Sequence, residues 1–250
     1  MGIEKAFENL SEEILQPWKI VNKIEDFPEI AIVTFNNHTI EIIQNREDIE
    51  KISEFHAGFV IPIYSVTHKN KKIAVYQSLI GGAGTAMLLE EMIAKGAKKF
   101  VFFGSCGTLN KNIDAGNLII PTAAYRDEGA SYHYMAAGDY IEVKTAEKLS
   151  HIMKKLNISH IKGKTWTTDA IYRETRHNML KRKSEGCITV DMECASIMAV
   201  GKFRGAEIYE YLYAEDNLDN IEWERRSMGS VPLNANGKYW QIALDIAAMI

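Results

Sequence analysis

Thr189-Val190-Asp191-Met192-Glu193-Cys194-Ala195-Ser196-Ile197-Met198-Ala199-Val200 is the stretch on which the fold turns. A short β-prone run, Cys187 to Val190, gives way here to a helix. From Met192 to Phe203 the residues are small or apolar on almost every side, which predicts a helix buried in a larger core. Gly205 ends that helix, and a tyrosine-rich strand from Ile208 runs out into Glu215 and Asp216. Strand, buried helix, strand is the signature of an α/β sheet, in which ligands bind beyond the carboxyl ends of the strands. Asp191, Glu193, Glu215 and Asp216 all fall at such ends. Taken singly, each acid is accounted for by helix capping and the helix dipole. An apolar Met192 between two acids is not what a solvated helix start requires, so the triplet points to a pocket with carboxylates on two walls.

The same pattern repeats upstream. A strand ending at Leu79-Ile80 meets Gly81-Gly82-Ala83-Gly84-Thr85, and a helix follows from Ala86 to Lys95, stopped by Gly96. Phe100-Val101-Phe102-Phe103 is a fully apolar strand that opens into the turn-like Gly104-Ser105-Cys106-Gly107. Each glycine-rich turn fits either a plain structural turn or a seat for an anion on backbone N–H groups. Neither is a phosphate loop of the GK[ST] type, and Met87 occupies the third glycine of a dinucleotide fingerprint. Towards the N-terminus the spacing predicts a helical arm over 11–20 and a strand at Ile30–Val33. Asn36-Asn37-His38 reads as a turn before a second apolar run, Ile40–Ile43. A charged helix is predicted over 46–55, then strands at 59–65 and 72–78 joined at Lys69-Asn70-Lys71. Downstream come a strand at 118–121, a polar aromatic loop over 126–134 of the kind that lines sites, and a helix at 145–156. A strand at 161–166, a basic helix at 173–184 and a closing helix at 238–250 complete the chain. No linker, repeat or low-complexity tract appears, so residues 1–250 are expected to form a single domain.

Composition narrows the function. The 250 residues are 46% hydrophobic and 25% charged, with net charge −4, which suits a globular protein and does not suit a nucleic-acid polymer as partner. No run reaches the length of a membrane span, and the acidic N-terminus does not read as a signal peptide. Three cysteines without metal spacing fit buried thiols in a reducing, cytoplasmic setting, and the scattered histidines make no metal motif.

Read together, GGAGT, GSCGTL at a strand end, the Tyr125–Tyr134 segment, VDMECAS and Asp216 resemble the nucleoside phosphorylases of the purine nucleoside and uridine phosphorylase type, over about Leu79 to Arg225. The resemblance implies a three-layer αβα sandwich around a mixed β-sheet. It also implies cleavage of the N-glycosidic bond of a purine nucleoside or uridine with phosphate, giving free base and ribose-1-phosphate. Carried onto this chain, it makes Asp216 the general acid, assisted by Arg225. Glu193 takes the ribose hydroxyls, Met192 packs on the sugar, and Asp191 lies near the base or sugar edge. Ile171 and Tyr172 flank the base, while Gly82, Thr85 and Ser105 line the phosphate end. No organic cofactor and no metal are implied, phosphate being the co-substrate, and a homo-oligomer built from dimers, up to a hexamer, is expected.

The chain departs from the family at the phosphate end. Thr34-Phe35-Asn36-Asn37-His38 stands where the family carries a Gly-Asp-Pro turn and an arginine, Phe102 replaces a further arginine, and Glu215 replaces a small hydroxyl residue. Each lost charge-assisted bond to a phosphate dianion removes about 1.5–3 kcal/mol. Arg46, Arg126, His38 or a neighbouring subunit are the candidates to compensate. A nucleosidase using water, and a nucleoside-binding protein without activity, stay open beside phosphorolysis.

Overall fold

Residues 2–230 and 233–250 of this computed structural model contain β1 (Ile30–Thr34), β2 (Glu50–His56), β3 (Val60–His68), β4 (Lys71–Gln77) and β5 (Lys99–Thr108). After these come β6 (Leu118–Asp127), β7 (Tyr140–Glu142), β8 (Ile161–Thr168), β9 (Cys187–Asp191) and β10 (Glu207–Asn217). The helices are α1 (Pro17–Ile20), α2 (Asn37–Gln44), α3 (Gly82–Lys95) and α4 (Ser131–Tyr134), then α5 (Ala146–Lys155), α6 (Arg176–Ser184), α7 (Cys194–Arg204) and α8 (Leu233–Ala247).

All ten strands belong to one mixed sheet, ordered β10-β6-β8-β9-β5-β1-β4-β3-β2, with β7 on β6. β1 lies parallel between β4 and β5 and is buried along its length, which is why its sequence is a continuous apolar run instead of an alternation. β5 changes partners part-way. Its first half sits between β1 and β10, and its last residues, Gly107 and Thr108, pair with Val190 and Thr189 of β9. Because β10 also pairs with β6, the strands β5, β10, β6, β8 and β9 close into a ring. The helices form two packed groups flanking the sheet, α1, α3, α4 and α7 in one and α2, α5 and α8 in the other.

The buried helix predicted from the opening stretch is α7. Every residue from Cys194 to Gly201 is buried, and Gly205 terminates it at φ 72° in the left-handed conformation. Its small side chains let neighbours come close. A Cβ on Gly82 would lie 2.2 Å from the Ser196 hydroxyl, and one on Gly201 would lie 2.4 Å from Ile208. Gly82 is therefore the contact point between α3 and α7.

Four expectations are corrected. The arm over 11–20 is helical only at Pro17–Ile20. Ile40–Ile43 lies in α2, because the Asn36 side chain accepts from His38 N–H and so caps a helix where the sequence suggested a turn. Residues 46–55 do not form a helix; Glu50–His56 is an edge strand on β3. The register shift between Lys51 and Ser53 breaks the period of two, leaving Ile49, Ile52 and Phe55 at a spacing that imitates a helix. Finally, Gly104–Thr108 is no turn but the second half of β5, where Gly104 admits the Phe35 ring.

Candidate active site

A cleft of about 470 Å³ opens where the ends of β5, β9 and β10 converge with the segments following β1 and β4. A second lobe of about 780 Å³ adjoins it, and the two share Ile171, Glu174, Glu215, Asp216, Met228 and Gly229. Asp191, Met192, Glu193, Ser105, Ile171 and Asp216 line the first lobe. Tyr172 and Arg225 line the second, together with Trp223.

Asp191 is the last residue of β9 and holds the start of α7. One carboxylate oxygen accepts from the backbone N–H groups of Glu193 (2.9 Å) and Cys194 (2.6 Å). The other accepts from the hydroxyls of Thr165 (3.0 Å) and Thr167 (2.9 Å). Burial raises its pKa while these four donors oppose the rise. All four bonds are internal, so Asp191 forms a wall that fixes Met192 and Glu193. Glu193 reaches back across the cleft and accepts from Gly81 N–H at 2.6 Å. Burial, then the nearby Asp191 charge, push its pKa up to about 8.

Glu215 and Asp216 are consecutive, yet both face the cleft. In a regular strand they would point to opposite faces. The β10–β5 register shifts between Ala214 and Asp216, pairing Ala214 with Cys106 and Asp216 with Gly107, so Glu215 is the extra residue of a bulge. A Cβ on Gly107 would lie 3.0 Å from Asp216 Oδ1, so that glycine admits the acid. Burial raises the pKa of Asp216, and the Trp223 indole N–H, 2.6 Å from Oδ2, works against the rise. Arg225 is not brought to this carboxylate; its Nε donates to the Met228 carbonyl at 3.0 Å. Trp223 and Glu174 were not singled out from sequence. Glu174 lies on both lobes, its pKa pushed up to about 8 by burial and by Asp216 and Asp191. No motif marks it, since its place follows from the short turn after Ile171–Arg173.

At the other end, Ser105 is the exposed residue in the otherwise buried second half of β5. Gly82 and Thr85 do not line either lobe. Thr85 is fully buried and donates its hydroxyl to the Leu79 carbonyl at 2.8 Å. Phe102 lies in the core near Phe35 and Phe100. Of the cations considered as replacements, Arg46 pairs with Asp48. Arg126 is buried in its own loop, bound to Ser131 and to backbone carbonyls, so the 126–134 segment stays off the lining. His38 does reach the first lobe, where it pairs with Glu41 at 2.9 Å. Among the described residues, no lysine or arginine lines the first lobe.

This architecture, with a carboxylate–methionine–carboxylate wall at the end of β9 and an acid on β10, on the far side of β5, is that of an enzyme acting on a small polar molecule. The chain belongs to the Phosphorylase superfamily, whose sequence model matches residues 29–230. It is 28% identical to the DeoD-type purine nucleoside phosphorylase of Buchnera aphidicola over 62% of this chain and 67% of that protein. It is 36% identical to the uridine phosphorylase of Thermococcus kodakarensis, over 65% of this chain and 58% of that one. The structure of purine nucleoside phosphorylase from Toxoplasma gondii in complex with immucillin-H superposes with TM-score 0.75 at 20% identity, covering 97% of this chain and 98% of that chain. The expected mixed sheet with flanking helices is therefore the fold of this family.

Proposed function

We propose that the chain is a nucleoside phosphorylase: it cleaves the N-glycosidic bond of a nucleoside with phosphate, releasing free base and ribose-1-phosphate. The observation that carries this is the cleft itself, with Met192 and Glu193 at the end of β9 and Asp216 on β10, in a chain of the phosphorylase family. In this mechanism the C1′–N bond breaks and its electron pair leaves with the base. Asp216 protonates the base as it leaves, which its raised pKa favours at neutral pH. Phosphate oxygen forms the new bond at C1′, and the phosphate proton restores Asp216. Positive charge develops on the sugar in the transition state. Glu193 is placed to accept from the ribose hydroxyls and Met192 to pack on the ring. Ile171 and Tyr172 flank the base, and Asp191 acts through Glu193 by fixing the α7 start. Arg225 stands on the wall of the second lobe, within the loop that carries Trp223, and would meet the base there.

The phosphate end is proposed to be Ser105, with His38 on the same lobe. Hydrolysis is the second reading, favoured by the lack of lysine or arginine on the first lobe. Purines suit the acid pair formed by Asp216 and Glu174 better than they suit a site with no proton donor, since a departing purine gains a proton. A dimer-based homo-oligomer in the cytoplasm fits three free buried thiols and exposed apolar side chains such as Phe59 and Val60. Base release from a panel of purine and pyrimidine nucleosides, with and without phosphate and with the sugar product identified, tests the proposal. Phosphate-dependent ribose-1-phosphate is the expected product. Free ribose at the same rate in both conditions would replace phosphorolysis by hydrolysis, and no cleavage of any nucleoside would overturn both.

A further inference from the structure

The nucleophile end of the cleft holds a carboxylate where an anion has to enter. Glu215 is the bulged residue of β10, buried, and it lines both lobes. Its side chain lines the first lobe together with Ser105 and Gly229, and the Ser105 hydroxyl and the Gly229 amide favour its ionised form. These are the donors an incoming phosphate would use. The other candidate donors nearby are engaged elsewhere: Gly81 N–H on Glu193 and the Thr85 hydroxyl on the Leu79 carbonyl.

We propose that Glu215 selects the nucleophile: it occupies the anion seat beside Ser105 and admits phosphate only together with a proton. The inference rests on the phosphorylase reading above. An ionised Glu215 and a phosphate dianion sharing Ser105 would put like charges in contact on the first lobe, whose described lining carries no lysine or arginine; Arg176 and Arg225, on the second lobe that Glu215 also lines, are held on the Ile221 and Met228 carbonyls. A neutral Glu215 instead offers an O–H donor to a phosphate oxygen, supplying one of the bonds the missing arginines would have made. The surroundings shift Glu215 towards the neutral form without completing the shift at pH 7. Burial, then the adjacent Asp216 charge, raise the Glu215 pKa to about 7. Tyr213 on the same strand and Tyr239 of α8 stack at 4.1 Å beside it, and Cys106 of β5 lies close, all three held neutral by burial. Glu174 and Glu193 on the facing walls have pKa values pushed up to about 8 by burial and so gain charge only at alkaline pH, Asp191 is held by four internal donors, and His38 of α2 also lines the first lobe. Arg226, its guanidinium bound to Glu224 and the Ile113 carbonyl, acts on the neighbouring Asp216, whose ionised form it favours.

The test compares KM for inorganic phosphate between pH 6 and 8.5 in the wild type, E215Q and E215S, with nucleoside saturating. The ionisation of phosphate is common to all three proteins and cancels in the comparison. Relative to E215Q, the wild-type KM should rise about tenfold per pH unit above pH 7, the slope of one linked proton. E215Q and E215S should bind phosphate at least about tenfold tighter than wild type at pH 8 once the like-charge contact is gone. Equal slopes in wild type and both variants would overturn the inference. Should the wild type cleave without phosphate, the phosphorylase reading fails separately. The selector role then stands if E215S gains phosphate-dependent formation of ribose-1-phosphate, and it falls if E215S remains hydrolytic. Circular dichroism and nucleoside KM identify a variant that has merely misfolded, and E215Q, which keeps the side-chain shape, serves if E215S does so.

Discussion

The two ends of the cleft are built from similar materials and differ in what their polar groups are free to do. At the proposed sugar and base end, Glu193, Asp216 and Glu174 present carboxyl groups that internal donors satisfy only in part. At the proposed nucleophile end, two of the groups that a sequence motif assigns to phosphate are already engaged, Thr85 with Leu79 and Gly82 against Ser196, while Ser105 shares its lobe with Glu215. A glycine-rich turn at a helix start has two uses, close packing and anion binding, and Gly82 serves the first. On the proposed reading, the difference separates the leaving-group chemistry from the choice of nucleophile, each resting on its own residues.

The largest effect should follow from removing the shared leaving-group machinery. D216N and E193Q should each lower turnover by at least about 10²-fold, the low end for a general acid or an electrostatic contact to the transition state. Steady-state rates with saturating phosphate check this, and near-wild-type rates in both would collapse the distinction between the two ends. A second test sharpens it through stability. Glu193 has a folded pKa of about 8, above its ordinary 4.5, so the folded state holds its proton more tightly than the unfolded chain. That contribution is full below about pH 4.5 and is lost as pH rises through 8. E193Q should therefore lose less stability than wild type between pH 5 and 8.5, by about 4 kcal/mol in denaturant unfolding. An inactive variant that is more stable at alkaline pH would mark Glu193 as a functional residue held at a cost to the fold.

Smaller changes probe the acid. W223F removes the indole donor from Asp216 Oδ2, a bond that favours the ionised form. The alkaline limb of the turnover profile should move up by about one pH unit, since a bond to a charged group is worth about 1.5–3 kcal/mol. An unmoved limb would detach Asp216 from that limb. R225A should be the mildest, below about tenfold in kcat/KM, because a lost contact on an open lobe wall is worth about 1 kcal/mol. A loss matching that of D216N would show that Arg225 leaves the Met228 carbonyl and joins the acid when a nucleoside binds.

The core of the fold was legible where one residue pattern had one physical use. The apolar run Ile30–Val33 of β1, Phe100–Phe103 of β5 and the small-residue part of α7, Cys194–Gly201, are buried and read as such. So did the turn between β3 and β4, where Lys69 and Asn70 adopt the left-handed conformation a two-residue hairpin requires. Asp191, Met192, Glu193, Ser105, Ile171 and Asp216 were named from sequence and meet in one cleft. What escaped depends on tertiary partners. β2 looked helical because a bulge disguised its alternation. Trp223 reaches Asp216 only through a loop whose path no local signal records, and the Gly104–Thr108 segment stays extended because β10 and β9 pair with it.

The ring formed by β5, β10, β6, β8 and β9 has a consequence for motion. A strand in an open sheet can peel from its edge, as β2 can, but a closed circuit offers no place to begin. Ser105, Asp191 and Asp216 all sit on ring strands, whereas Tyr172, Glu174 and Trp223 sit on the loops above. Hydrogen exchange would divide the site along that line, with the chemistry standing on the slow half and the base held by the fast half.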